Sequence, residues 1–276
     1  MALKTILFHA AVDDQFDGRL DLACALATEH EAHLAGLHVI ADPYIPFQAA
    51  PGYVPAEFIE SQRDIGEARA KEAEEKFLAG TGRNGVQGEW RLGNGEASRV
   101  LGIHARYADV TVVGQSGDPQ GGGDPDLPSV VAMLAARPVI VVPRYGTFKE
   151  IGKRVLVCWN ASREATRAVN DALPLLQRAA KVTVLAVNPQ QGEGHGELPG
   201  ADISHYLARH GVRAEANKTF VDDIEVGELI LSRAADLGAD LIVMGAYGHS
   251  RLQEWVFGGV TRTLLTSMTR PVLISH

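Results

Sequence analysis

Residues 108–114 read ADVTVVG and residues 239–245 read ADLIVMG. Each is an apolar run rich in β-branched residues, opened by Ala-Asp and closed by Gly. Each is also followed by an Arg-Pro-Val segment, RPVIVV at 137–142 and RPVLIS at 270–275. Upstream, LAGLHV at 34–39 matches VTVLAV at 182–187, and TILF at 5–8 answers RVLV at 154–157. Four strand-like segments recurring in one order mark a tandem repeat, and a repeat decides the architecture before any single element does.

The offset between copies is 148 residues from Leu34 to Val182 and 131 from Ala108 to Ala239, so the first copy carries 17 extra residues. They fall in ADPYIPFQAAPGYVPAEF, 41–58, whose prolines forbid a regular helix or central strand. A long charged helix over about 56–79 follows. A short linker, PRYGTFKEIGK at 143–153, joins the copies. The expected domains are 1–146 and 151–276, each near the usual single-domain size.

In each half, continuous runs of Val, Ile and Leu alternate with amphipathic helical stretches, as expected of parallel strands covered on both faces by helices. The second half predicts strands near 153–158, 181–187, 212–219, 240–244 and 271–275. Helices are predicted near 163–178, 200–210, 225–237 and 254–268. The fold class is therefore α/β: two tandem doubly wound, Rossmann-like domains, each a five-stranded parallel sheet flanked by helices. Such sheets bind ligands outside the carboxyl ends of their strands at the topological switch point, which directs attention to the loops after the first and fourth strands.

Composition bounds the function. With 46% hydrophobic and 22% charged residues the chain is ordinary for a folded soluble protein. Its net charge of -8, with Lys and Arg scattered, argues against nucleic acid or an anionic membrane as partner. The opening MALKTILFHAAVDD is too short an apolar run for a signal peptide or membrane span, so a cytoplasmic location is expected. Cys24 and Cys158 form neither a disulfide framework nor a CxxC site and read as buried small hydrophobes. His30, His33 and His38 read as solvated or core residues, because no carboxylate or Cys completes a metal set.

The chemistry lies in Gly245-Ala-Tyr-Gly248-His-Ser-Arg-Leu-Gln-Glu-Trp-Val-Phe-Gly258-Gly259-Val260-Thr261, a G-x2-G-x9-G spacing after a buried strand and before a helix. Glycines bring backbone N–H groups close to a ligand, and a helix N-terminus offers free donors to phosphate. The alternative is that Gly245 and Gly248 close a turn and Gly258-Gly259 permit tight packing. No Lys follows Gly258, so this is not a Walker A loop, and the spacing is not the Rossmann G-x-G-x-x-G.

On these residues the chain resembles the universal stress protein family in its tandem two-domain form, with the adenine-nucleotide alpha-hydrolase type of fold. The family motif G-x2-G-x9-G-[S/T] is matched at Gly245, Gly248 and Gly258, while its final hydroxyl residue is Gly259 here, with Thr261 two residues on. The resemblance implies an adenine nucleotide, ATP, ADP or AMP, with Mg accompanying its phosphates. The implied site takes in Met244, Gly245, Gly248 and His249, then Gly258, Gly259, Val260 and Thr261. It also places Asn160 and Ala161 past the first strand, where the family has an Asp, and Val187 at an adenine-reading backbone position of the second strand. Asn160 reads equally as a helix N-cap.

In the first half Gly114 and Gly117 survive, but Leu127 and Pro128 occupy the register of Gly258 and Gly259, and Asp118, Asp124 and Asp126 bring negative charge. No ATP-type ligand is expected there. Neighbouring His249 and Ser250 do not make a Ser-His relay, and no catalytic set stands out. The expected function is a nucleotide-binding, stress-response regulatory protein, with a slow ATP hydrolase and a ligand-free scaffold as rivals. The resemblance further implies that strands 138–142 and 271–275 pair, so that the two domains mimic a homodimer; a homodimer of whole chains is open.

Overall fold

The computed structural model describes residues 2–42, 56–115, 126–188, 200–221, 224–246 and 259–276. The first half runs β1 (Thr5–His9), α1 (Phe16–His30), β2 (His33–Ile40), α2 (Ala56–Arg83), β3 (Gly88–Asn94), α3 (Ala97–Ala105), β4 (Val110–Gly114), α4 (Leu127–Ala135) and β5 (Val139–Val142). The second repeats the order with β6 (Arg154–Cys158), α5 (Arg163–Leu176), β7 (Lys181–Val187), α6 (Ala201–Arg209), β8 (Ala214–Thr219), α7 (Val226–Asp236), β9 (Leu241–Gly245), α8 (Gly259–Ser267) and β10 (Val272–Ser275).

The strands form one sheet in the order β3-β2-β1-β4-β5-β10-β9-β6-β7-β8. Pairing is parallel throughout each half, and the closing strands β5 and β10 pair antiparallel, Val141 opposite Val272 and Val139 opposite Ile274. Strand side chains alternate between faces, so Ile6, Phe8, Val155 and Val157 join one core layer while Leu7 and Leu156 join the other. Helices α1, α2, α5 and α6 cover the first layer; α3, α4, α7 and α8 cover the second. Both layers run unbroken through the two halves.

The outermost strands read differently from the central ones. Glu89 and Arg91 on β3 and Glu215 and Lys218 on β8 place charges along the sheet's two free edges, which discourages further strand addition. The Ala-Asp that opens each fourth strand has a structural task. Asp109 Oδ2 accepts the Lys4 and Thr5 N–H groups, and Asp240 accepts those of Gly152, Lys153 and Arg154 at 2.7–3.0 Å. In each half that carboxylate fastens the start of the fourth strand to the start of the first.

Helix α2 runs to Arg83, one turn beyond the expected end at about 79, despite Gly80 and Gly82. Tertiary packing overrides the weak propensity: a Cβ on Gly80 would fall 2.4 Å from Leu20, so the helix backbone lies directly on α1. Among the described residues, no helix is long and apolar enough to cross a membrane. Phe77 anchors α2 to the sheet, its ring 6.2 Å from Phe8 and 5.5 Å from Trp90, and it is fully buried. Phe77→Ala is expected to lower stability by about 3–5 kcal/mol, read by urea unfolding. A loss below about 1 kcal/mol would show that the ring is not the anchor.

Candidate nucleotide site at the strand carboxyl edge

In the second half β6 lies between β9 and β7. The switch point is the β9–β6 boundary, since the chain leaves these strands for opposite faces of the sheet. Asn160, Ala161, Val187, Met244 and Gly245 all sit at the carboxyl ends of these three strands or just past them. Because α8 leads from the carboxyl end of β9 to the start of β10, its first residues Gly259, Val260 and Thr261 return to the same edge. Gly248, His249 and Gly258 lie outside the described residues, as do Gly117, Asp118 and Asp124 of the first-half loop.

Beyond β6 the chain makes a tight polar turn. The Asn160 Oδ1 accepts the Ser162 N–H at 3.2 Å, and Ala161 takes a left-handed φ of 59°. Helix α5 is capped by Ser162, whose Oγ accepts the Ala165 N–H at 3.1 Å. The N-cap is thus Ser162 and not Asn160, which instead braces the turn two residues earlier. Asn188, which the sequence reading passed over, fixes the end of β7. Its φ is 45°, and its carboxamide exchanges two 2.8 Å hydrogen bonds with the Val221 backbone. An Asn directly after an apolar strand run was the available signal, since Asn tolerates the left-handed region and bonds to nearby backbone.

The two glycines that the structure describes serve different ends. A Cβ on Gly245 would fall 2.4 Å from the Ala165 N and the Glu164 carbonyl carbon, so the end of β9 and the first turn of α5 touch backbone to backbone. Any side chain there would force them apart. Among the described residues, a Cβ on Gly259 would meet nothing within 4 Å. The first N–H groups of α8 have no intrahelical acceptor and carry the positive end of the helix dipole. Thr261 is buried, 4% exposed, so its hydroxyl does not stand in for a hydroxyl at 259 on the open side.

The cleft of the first half is built otherwise. Arg19, 1% exposed, points back from α1 to the turn after β1: Nη1 donates to Asp13 at 3.0–3.1 Å and Nη2 to the Ala11 carbonyl at 2.8 Å. Its guanidinium lies 5.7 Å above the Phe8 ring, and a Cβ on Gly114 would fall 2.7 Å from Nη1. An internal cation thus takes up the space between the turn after β1 and the end of β4. Pro128 lies in the first turn of α4 and Asp126 directly before it. Nothing in the glycine pattern signals Arg19, which sits in the first turn of α1 in an ordinary helical stretch.

The remaining singled-out residues settle into the core or the surface. His38 Nδ1 pairs with the Ala10 carbonyl at 2.7 Å, His33 Nε2 with Glu89 at 2.9 Å, and His30 is buried under α1. Burial pushes the Cys158 thiol up to about 12, and burial with the nearby Asp21 carboxylate pushes Cys24 up to about 11, so both behave as inert small hydrophobes.

Fold and edge loops together define a tandem, doubly wound α/β chain that presents helix amides at the carboxyl edge of its second half. The model of the Universal stress protein family matches residues 152–276. A universal stress protein from Methanocaldococcus jannaschii is 39% identical over 56 residues, which is 19% of this chain and 35% of that protein. The match thus spans about a third of that relative's length. The structure of a universal stress protein from Archaeoglobus fulgidus DSM 4304 superposes with a TM-score of 0.72 at 15% identity, covering 98% of this chain and 97% of that one. A functionally unknown protein from Pseudomonas aeruginosa PAO1 gives 0.58 at 14% identity, covering 99% and 92%. These two show that the fold is shared over both halves.

His9, at the end of β1, makes the first half acid-sensitive. Burial, then Arg19 and His38, push it down from 6.5 to about 3, so it stays neutral in the folded chain. The unfolded chain takes up the proton as pH falls below 6.5, and stability falls with it over the window from 6.5 to about 3. Between pH 7 and pH 5 the wild type should lose about 2 kcal/mol more than His9→Gln, read by urea unfolding at both values. Equal losses would show that His9 carries no such linkage.

Proposed function

We propose that the chain is an adenine-nucleotide-binding regulatory protein, its ligand held at the carboxyl edge of domain 151–276, with domain 1–146 as a ligand-free structural half. The observation that carries this reading is the first turn of α8, where among the described residues nothing crowds Gly259, beside a strand edge where phosphate-binding amides belong in a doubly wound sheet. The N–H groups of Gly259, Val260 and Thr261 would meet phosphate, completed by Gly248, His249 and Gly258. Asn160 and Ala161 would border the ribose, and the Val187 backbone, with Met244 and Gly245 alongside, the adenine. Mg would arrive with the phosphates.

The match of 152–276 to the universal stress protein model supports a binding protein rather than an enzyme, and the Arg19–Asp13 pair supports a first half that takes no nucleotide. The antiparallel β5–β10 seam supports two domains that stand to each other as the subunits of a dimer within one chain. The negative net charge fits a cytoplasmic protein without nucleic-acid or membrane partners.

Gly259 offers the discriminating test, because its surroundings admit a side chain. Titration calorimetry with ATP, ADP and AMP should show binding to the wild type. Gly259→Ser, which restores the missing hydroxyl, should tighten it about tenfold, the worth of one hydrogen bond to a charged group. Gly259→Asp should abolish it while leaving the fold intact, since an acid is favourable in a helix's first turn. Undiminished binding by Gly259→Asp, or a melting temperature unmoved by millimolar ATP, would sink the reading.

A further inference from the structure

The segments that follow β4 and β9 are equivalent in backbone and different in use. Gln115 N–H donates to the Val142 carbonyl and Ala246 N–H to the Ser275 carbonyl, each at 2.8 Å. Ala246 is fully buried, and its methyl side chain can make no hydrogen bond across the seam. The Gln115 carboxamide crosses the seam. Its Nε2 donates to both the Leu265 and Thr266 carbonyls at 2.9 Å, and its Oε1 accepts the Arg144 N–H at 2.9 Å. Leu265 and Thr266 belong to the last turn of α8, whose carbonyls have no intrahelical partner.

Helix α8 is nine residues long, about 13 Å end to end, and moves as one hydrogen-bonded unit. Its far end is the Gly259–Thr261 turn. The reverse contact is made by another residue: Arg167 on α5 donates to the Ala136 carbonyl beyond α4 at 2.7 Å, and is held by Asp171, which Ser275 Oγ also contacts. Each half therefore grips the trailing end of the other's last helix, and α8 leads from that grip to the Gly259–Thr261 turn.

We propose that Gln115 is a positioning residue for the second-half site, pinning α8 so that its first-turn amides are preorganised, and that occupancy of that turn is felt at Gln115 and Arg144 in the first half. The inference rests on the nucleotide reading above for its ligand. Coupling of this kind is reciprocal: a bond that ordering of α8 strengthens must in turn favour the ligand that orders α8.

Hydrogen exchange and ATP titration on the full chain test it in two arms. Without ligand, Gln115→Ala should speed exchange at Thr263 and Leu264, whose N–H groups close the first turn of α8, as should Gln115→Glu, which keeps the Arg144 bond but sets a carboxylate against the helix carbonyls. Arg167→Ala, which cuts the reverse contact and the Asp171 pair but leaves the Gln115 bonds in place, should leave those two amides unchanged. Changes confined to Thr266 and Ser267 would overturn the proposal as mere fraying. With ATP, the wild type should show slowed exchange at Arg144, and Gln115→Ala should bind about fivefold or more weakly. Equal affinities with Arg144 unmoved would overturn the coupling and leave the nucleotide reading standing. A wild type that binds no ATP would sink that reading and remove this inference's ligand, while the first arm still decides whether Gln115 orders the far end of α8.

Discussion

The antiparallel pairing of β5 with β10 is the contact on which the architecture depends. Each is a four-residue, fully buried apolar strand, Val-Ile-Val-Val and Val-Leu-Ile-Ser. Left unpaired, each would expose a flat hydrophobic edge, the kind of surface that recruits other chains. Paired, they close two five-stranded sheets into one and carry both core layers across the junction. Only the charged strands β3 and β8 remain as edges. The seam also sets direction: because the two closing strands run oppositely, the strand carboxyl ends of one half lie on the same side as the strand amino ends of the other.

That reversal explains the contacts across the seam. Helix α8 starts at the carboxyl edge of its own half and descends to the amino edge, which is where the carboxyl edge of the first half begins. The residue waiting there is Gln115, at the end of β4. By the same geometry Arg167, early on α5, meets the end of α4. Two copies of one fold joined in this way bring a helix end of each beside the switch-point segment of the other. Gln115 serves that neighbour while Arg19 and Asp13 occupy the space inside its own cleft. Burying a guanidinium costs desolvation, offset here by two carboxylate bonds, one carbonyl and the Phe8 face.

Much of the fold was legible because the repeat made each segment a check on its counterpart. The strand runs at 5–8, 154–157 and 182–187 recur as β1, β6 and β7 within a residue or so, and the pairing of the closing strands, inferred from the family resemblance, is present. What escaped the sequence depends on long-range placement. Gln115 and Leu265 are 150 residues apart, and nothing local in Gly-Gln-Ser announces that contact. Asp109 and Asp240 stood in the quoted repeat, yet their task of fastening two strand starts emerges only when the strands are adjacent. Asn160 and Ser162 both suit an N-cap, and the turn geometry at Ala161, not residue preference, hands the role to Ser162.

The glycines show how a motif and its physics can separate. Gly245 is the first residue of the family spacing, yet the 2.4 Å approach of α5 demands glycine there whether or not a ligand binds. Its presence is therefore weak evidence for function, and Gly114 is alike in kind, held small by Arg19. Gly259 departs from the family pattern and is the more informative residue. Among the described residues nothing lies within 4 Å of a Cβ placed there, so the described neighbours set no demand for the missing side chain. The first N–H groups of α8 belong to the backbone and do not depend on which residue stands at 259, so a Ser there would add one hydrogen-bonding group without removing any.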